Sequence, residues 1–183
     1  MKTNAEIIKY LGYDEESIPP GVRRLIVSCR DELRAAGSLR VYAAVFPGNA
    51  SRKLVTNAPV CRERLSGCGM VVFCAATFGE EVDALLVRWS KQDMGRYVVL
   101  NATAGAMVKA ALEARAVEEA QKLGITTGVM LEPGTDGIER QVREDILRVL
   151  GGERETGISL GEGYAFSPVK SGTAIIPLSM VRD

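Results

Sequence analysis

The side chains that could do chemistry are unevenly supplied in this chain, whose 183 residues include no histidine. That excludes His-based triads and removes both the commonest general base and the commonest metal ligand. Four cysteines, Cys29, Cys61, Cys68 and Cys74, form no CxxC pair. Their spacing, with no histidine to complete a cluster, predicts buried reduced thiols and no zinc or iron–sulfur site. Glu80, Glu81 and Asp83 crowd the start of a predicted helix, where the helix dipole favours acids without any further role, and no D-x-D-x-D-G loop accompanies them. No metal site and no catalytic residue is predicted.

Two segments carry binding chemistry. In the first, Glu132-Pro133-Gly134-Thr135 forms a turn between a predicted strand and a predicted helix. Its amides suit an anionic or carbonyl group, and Glu132 suits a ribose hydroxyl or an amine; the alternative for Glu132 is a solvated turn carboxylate. In the second, Lys170 stands between Ser167 and Ser171. A serine nucleophile paired with a lysine base is disfavoured, because Pro168 intervenes in a predicted hairpin and no oxyanion partner can be named. Lys170 fits a phosphate or carboxylate contact, or a solvated loop tip. The candidate ligand-binding residues are therefore Glu132, Pro133, Gly134, Thr135, Lys170 and Ser171. Asp136, with Glu139 three positions on, reads as a capping box and not as a ligand contact.

The elements that must position these segments follow from periodicity and punctuation. Thr3 to Leu11 reads as a short amphipathic helix, and Pro19-Pro20 opens a second one with Val22, Leu25, Ile26, Cys29 and Leu33 as its apolar stripe. Leu39 to Phe46 reads as a strand, with Ser51 to Val55 as its hairpin partner across Pro47-Gly48-Asn49, and a short helix follows over Val60 to Leu65. Gly69 to Ala76 is almost wholly apolar and fits a central strand buried on both faces. Thr77 and Glu80 have capping-box spacing for a helix to about Ser90, and Asp93 is placed to cap a long Ala-rich helix running to Lys122. Ile125 to Leu131 reads as a strand, Ile138 to Leu150 as a helix, and Gly163 to Phe166 with Thr173 to Leu178 as a hairpin whose loop carries Lys170 at an exposed tip. Trp89 is expected to pack in the core, and Asp83 to form an ion pair at its edge.

Composition narrows the class further. Basic and acidic residues balance at 23 each with no basic stripe, which argues against nucleic acid. No stretch approaches the roughly 20 apolar residues that a bilayer-spanning helix needs, so no membrane role is expected and the chain reads as cytoplasmic. The length suits one domain over 1–183.

Four segments in order carry a family resemblance: Val71 to Asp83, Asp93-Met94 with the Ala-rich helix, Glu132-Pro133-Gly134 with Gln141, and Tyr164 to Ile176. From about Ile7 onward the chain resembles the activation domain of cobalamin-dependent methionine synthase, in its short free-standing form. The resemblance, together with the pattern, implies an α+β fold with a curved, mostly antiparallel sheet packed on one side by helices, one of them long and central. It also implies S-adenosylmethionine as ligand, cobalamin reached only through a partner, and a corrinoid protein or cobalamin-dependent methyltransferase as that partner. The chain would then be an accessory for reactivation or methyl transfer, at most a component of an enzyme. In the family an R-x-x-P-G-Y turn helps hold the ligand, and here Met130 stands at the arginine and Thr135 at the tyrosine. Methionine has neither donor nor charge. The alternatives are a small-molecule binding protein on the same fold without adenosylmethionine or cobalamin, and a homo-oligomeric module.

Overall fold

The apolar run near the middle of the chain forms β2 (Met70–Thr77), in which seven of eight residues are buried. The computed structural model describes residues 2–55 and 58–179. On one side β2 pairs antiparallel with β1 (Arg40–Pro47), and on the other with β6 (Ser171–Ser179), residue for residue from Met70–Leu178 to Thr77–Ser171. A short β3 (Thr126–Thr127) joins the outer side of β6, so the strand order is β1-β2-β6-β3 and every pairing is antiparallel.

Strand alternation sends Val72, Cys74, Ala76, Ala174, Ile176 and Leu178 into one core and Val71, Phe73 and Ile175 into another. The first is covered by α6 (Met94–Lys122), flanked by α1 (Lys2–Tyr10), α2 (Pro20–Ala36) and α5 (Glu80–Gln92). Asp93 caps α6 as expected, accepting from the Arg96 amide at 3.0 Å. Buried Ala102, Ala104, Ala116 and Ala120 keep the helix close to its neighbours. The second core is closed by α3 (Gly48–Leu54), α4 (Pro59–Arg64) and α7 (Val142–Val149), with α8 (Gly152–Thr156) beyond them. The fold is the expected α+β one, with an antiparallel sheet and a long helix, but helices cover both faces. That is why β2 can be apolar throughout.

Several local expectations are corrected. Ser51 to Val55 is no strand: α3 begins directly after Pro47, and β1 takes its partner from Met70–Thr77 instead. Gly48 lies so close to Cys68 that an added Cβ would fall 1.8 Å from the Cys68 carbonyl oxygen, which pins this turn. Thr77 and Glu80 form no capping box. Gly79, at φ 82°, is the N-cap of α5, while the Thr77 hydroxyl accepts from the Gly79 amide and from Ser171. Asp136 caps nothing; it adopts φ 50°, and α7 starts only at Val142. Glu139 reaches across the sequence to accept from the amides of Val60 and Cys61 at 2.8 and 3.2 Å, supplying the missing partners of the first turn of α4. The strand expected over Ile125 to Leu131 is reduced to β3 and a single bridge, Leu131–Ile175. In the tail, β5 (Phe166–Ser167) pairs with β4 (Ser159–Leu160) and not with β6. Gly163 and Tyr164, at φ 63° and 62°, interrupt the expected strand there.

Trp89 packs against the first core, as expected, and its Nε1 donates to Glu32 at 2.8 Å. The same carboxylate receives Arg88 and Arg96, tying α2 to α5 and α6. All four cysteines are free, and burial raises the thiols of Cys29 to about 11 and of Cys61 and Cys74 to about 12. In the native protein a thiol reagent should therefore modify half-buried Cys68 well before the other three, which should react only on unfolding; early loss of Cys74 would contradict this burial.

Burial works against the charge of Glu139, but the amides it receives and nearby Arg62 outweigh it and hold its carboxyl below the ordinary value. This contribution to stability is present above the unfolded carboxyl's pKa and is lost as pH falls through the lower folded value. Glu139→Ala should cost about 1–2 kcal/mol in urea unfolding at pH 7, with a smaller difference from the native chain near pH 3. An unchanged midpoint at pH 7 would show that the cap contributes nothing.

Candidate ligand-binding site

All six residues singled out from the sequence line one cavity of 280 Å³: Glu132, Pro133, Gly134, Thr135, Lys170 and Ser171. They arrive there from two directions. The turn begins where Leu131 makes the last pairing with Ile175 of β6, exchanging both backbone hydrogen bonds at 2.8 and 2.9 Å. Pro133 then has no amide to continue a ladder, and Gly134 takes a left-handed φ of 94°, so the chain leaves the sheet. The Thr135 amide and hydroxyl both donate to the Glu132 carbonyl, and the Gly134 amide donates to that of Ile138, closing the turn over buried Ile138.

The second segment is held by the start of α5. Asp83, expected in an ion pair, accepts from the amides of Val169 and Lys170 at 2.7 and 3.3 Å. The Lys170 carbonyl accepts from the Phe78 amide, and the Ser171 hydroxyl donates to Thr77 and to the Pro168 carbonyl. Lys170 is consequently not an exposed tip. Burial lowers its ammonium pKa below the usual lysine value, with Asp83 opposing the shift.

Sequence reasoning missed the side chains that complete the wall. Lys109, Arg140, Arg143 and Phe166 line the same cavity. Lys109 comes from the middle of α6 and pairs with Glu132 at 3.4 Å and Glu6 at 3.6 Å. Burial opposes its charge, yet those two carboxylates outweigh it and raise its pKa. Arg143, on α7, donates from Nη1 to the Tyr164 carbonyl at 2.7 Å and from Nη2 to the Pro133 carbonyl at 3.2 Å, with its guanidinium 4.4 Å from the Phe166 ring centroid. A side chain at Gly134 would press on Arg140 and Arg143, its Cβ lying 3.2 Å from one and 3.4 Å from the other. Met130 packs against the first core and is not among the lining residues; the guanidinium bonded to the Pro133 carbonyl is that of Arg143. Arg140 and Arg143 were visible in the sequence, but nothing local told which turn they would face, and only Arg143 lies within α7.

The cavity is cationic, with Lys109, Arg140, Arg143 and Lys170 against the carboxylate of Glu132. Val108, Leu112 and Phe166 add apolar wall. At Gly105, Lys109, Glu132 and Lys170 it meets a second hollow of 650 Å³ between α1 and α6, bordered also by Tyr10 and Asn101. Among the described residues no group of cysteines and carboxylates is arranged to hold a metal, and no helix is long and apolar enough to cross a membrane.

No model of a known protein family matches this chain, and no curated protein sequence does. Among solved structures it is similar to the crystal structure of the MetH reactivation domain bound to AdoHcy, with a TM-score of 0.60 and 18% identity. The similarity covers 88% of this chain and 66% of that one, and at this identity it establishes the fold.

Asp83→Ala should release the loop without unfolding the sheet. The Val169 and Lys170 amides should then exchange with solvent roughly tenfold faster or more, as expected for losing a charged hydrogen bond, while the β2 amides keep their protection. Equal exchange in both proteins would remove Asp83 from the positioning of Lys170.

Proposed function

We propose that this cavity binds an S-adenosylmethionine-type nucleoside and that the chain serves as an accessory domain to a partner, a corrinoid protein or cobalamin-dependent methyltransferase, supporting methyl transfer to its corrinoid. The observation that carries this reading is the convergence of the Glu132–Thr135 turn and the Lys170–Ser171 segment on one cavity. It is supported by the fold, which is similar to that of a domain bound to AdoHcy.

The residues suit such a ligand. Lys170, Arg140 and Arg143 offer positive charge to an amino-acid carboxylate, and Glu132 offers oxygens to a ribose hydroxyl or an ammonium. Gly105, whose added Cβ would meet no heavy atom within 4 Å, leaves open space beside α6, and Val108, Leu112 and Phe166 give an adenosyl group apolar surface. The bound sulfonium would supply the methyl group, so the chain's own task is to bind and orient it. Corrinoid chemistry would belong to the partner, and the reading places the chain in the cytoplasm.

One observation favours the second reading, a binding protein on the same fold for a different small molecule. Four cations around the cavity against one lining carboxylate are a poor setting for a positive sulfonium and a better one for a neutral thioether or an anionic ligand.

Calorimetric titration tests both. Saturable binding is expected with S-adenosylmethionine and with S-adenosylhomocysteine, the uncharged thioether binding several-fold more tightly. Lys170→Ala should weaken both by roughly tenfold, the worth of one charged hydrogen bond. No heat with either nucleoside would overturn the proposal and leave the second reading.

A further inference from the structure

Among the described residues, three buried side-chain atoms lack a hydrogen-bond partner: Arg115 Nε, Arg143 Nε and Thr173 Oγ1. Two of the three belong to residues lining the same cavity, and they come from different elements, Arg143 from α7 and Thr173 from β6. Buried polar groups are nearly always paired, so two orphans among the residues lining one cavity point to a missing partner there.

The orphaned atoms are held in place. The Arg143 guanidinium is fixed by Tyr164 and Pro133 carbonyls at its two Nη atoms and by the Phe166 ring at its face. Each Nη keeps a second proton, and Nε–H has no partner. Thr173 is 2% exposed, and strand alternation puts its side chain on the face of β6 opposite α6, with Ile175. Ile175 directs its backbone groups to Leu131, so by the two-residue alternation of an antiparallel strand Thr173 directs its own to the same side of β6, where the chain has already turned away at Pro133. Arg140 and Lys170 flank the wall, while Glu132 is occupied by Lys109. This is a surface of donors, so it suits acceptor oxygens with negative charge and not a cation.

We propose that Arg143 and Thr173 form an oxyanion receptor in the wall of this cavity, binding the carboxylate or phosphate of the ligand it holds. The inference rests on the reading of this cavity as a ligand site. The identity of the anion-bearing ligand is what the test separates.

The probes are S-adenosylhomocysteine, 5′-methylthioadenosine, which lacks the carboxylate, and inorganic phosphate. The readouts are affinity and the Nε–H resonance of Arg143 in arginine-labelled protein, for the native chain, Arg143→Lys and Thr173→Val. Thr173→Val keeps the shape of the side chain and guards against a variant that fails to fold. For a carboxylate receptor, S-adenosylhomocysteine shifts the Arg143 Nε–H signal, both variants weaken it tenfold or more, and 5′-methylthioadenosine binds all three proteins alike. If S-adenosylhomocysteine binds but both variants leave it unchanged, or weaken both nucleosides equally, the receptor is overturned while the proposed function stands. If no nucleoside binds, the proposed function falls. Saturable phosphate binding that shifts Nε–H and is lost in Thr173→Val then still supports the receptor, and a silent Nε–H overturns it.

Discussion

The Leu131–Ile175 pairing is the constraint on which the cavity depends. On its inner side β6 pairs with β2 from Ser171 to Leu178, whereas on its outer side, among the described residues, it is paired at Thr126–Thr127, through the Gly128 amide, and at Leu131. Pro133 and Gly134 then take the chain off the sheet. An unpaired strand edge is a liability in water, and here the chain covers it with a turn, a helix and a cationic wall. The resulting gap is the cavity, so the same pairing that ends the sheet creates the place where a ligand can be held.

The two faces of the sheet divide the work. On one face α6 brings Gly105 and Lys109 to the cavity mouth, with Glu32 binding Trp89, Arg88 and Arg96 to lock α2, α5 and α6 together. On the other face α7 delivers Arg143 and the turn ahead of it delivers Arg140, while Glu139 in the same turn ties this layer to α4. Between them, Asp83 and Thr77 hold the Lys170 loop against the end of β2. The acidic start of α5, which has an adequate explanation in the helix dipole, thus has a positioning task as well.

The fold is similar to that of a domain bound to AdoHcy. Met130 stands where the resemblance would place an arginine, and Arg143 from α7 bonds the Pro133 carbonyl. A cation thus comes to this turn from ten residues further along the chain.

What the sequence by itself determined is what depends on near neighbours and composition: the apolar β2, the Asp93-capped α6, the absence of histidine chemistry, and the six residues of the turn and loop. Capping, periodicity and proline or glycine punctuation act over a few residues, so they are legible in order along the chain. Tertiary structure alone decided which strand β1 would pair with, that Glu139 would cap a helix 79 residues away, and that Lys109, Arg143 and Thr173 would meet across three elements. Those outcomes rest on pairings between distant segments, whose partners are chosen by burial of both sheet faces at once. A local pattern offers several such partners, and only the packed whole selects among them.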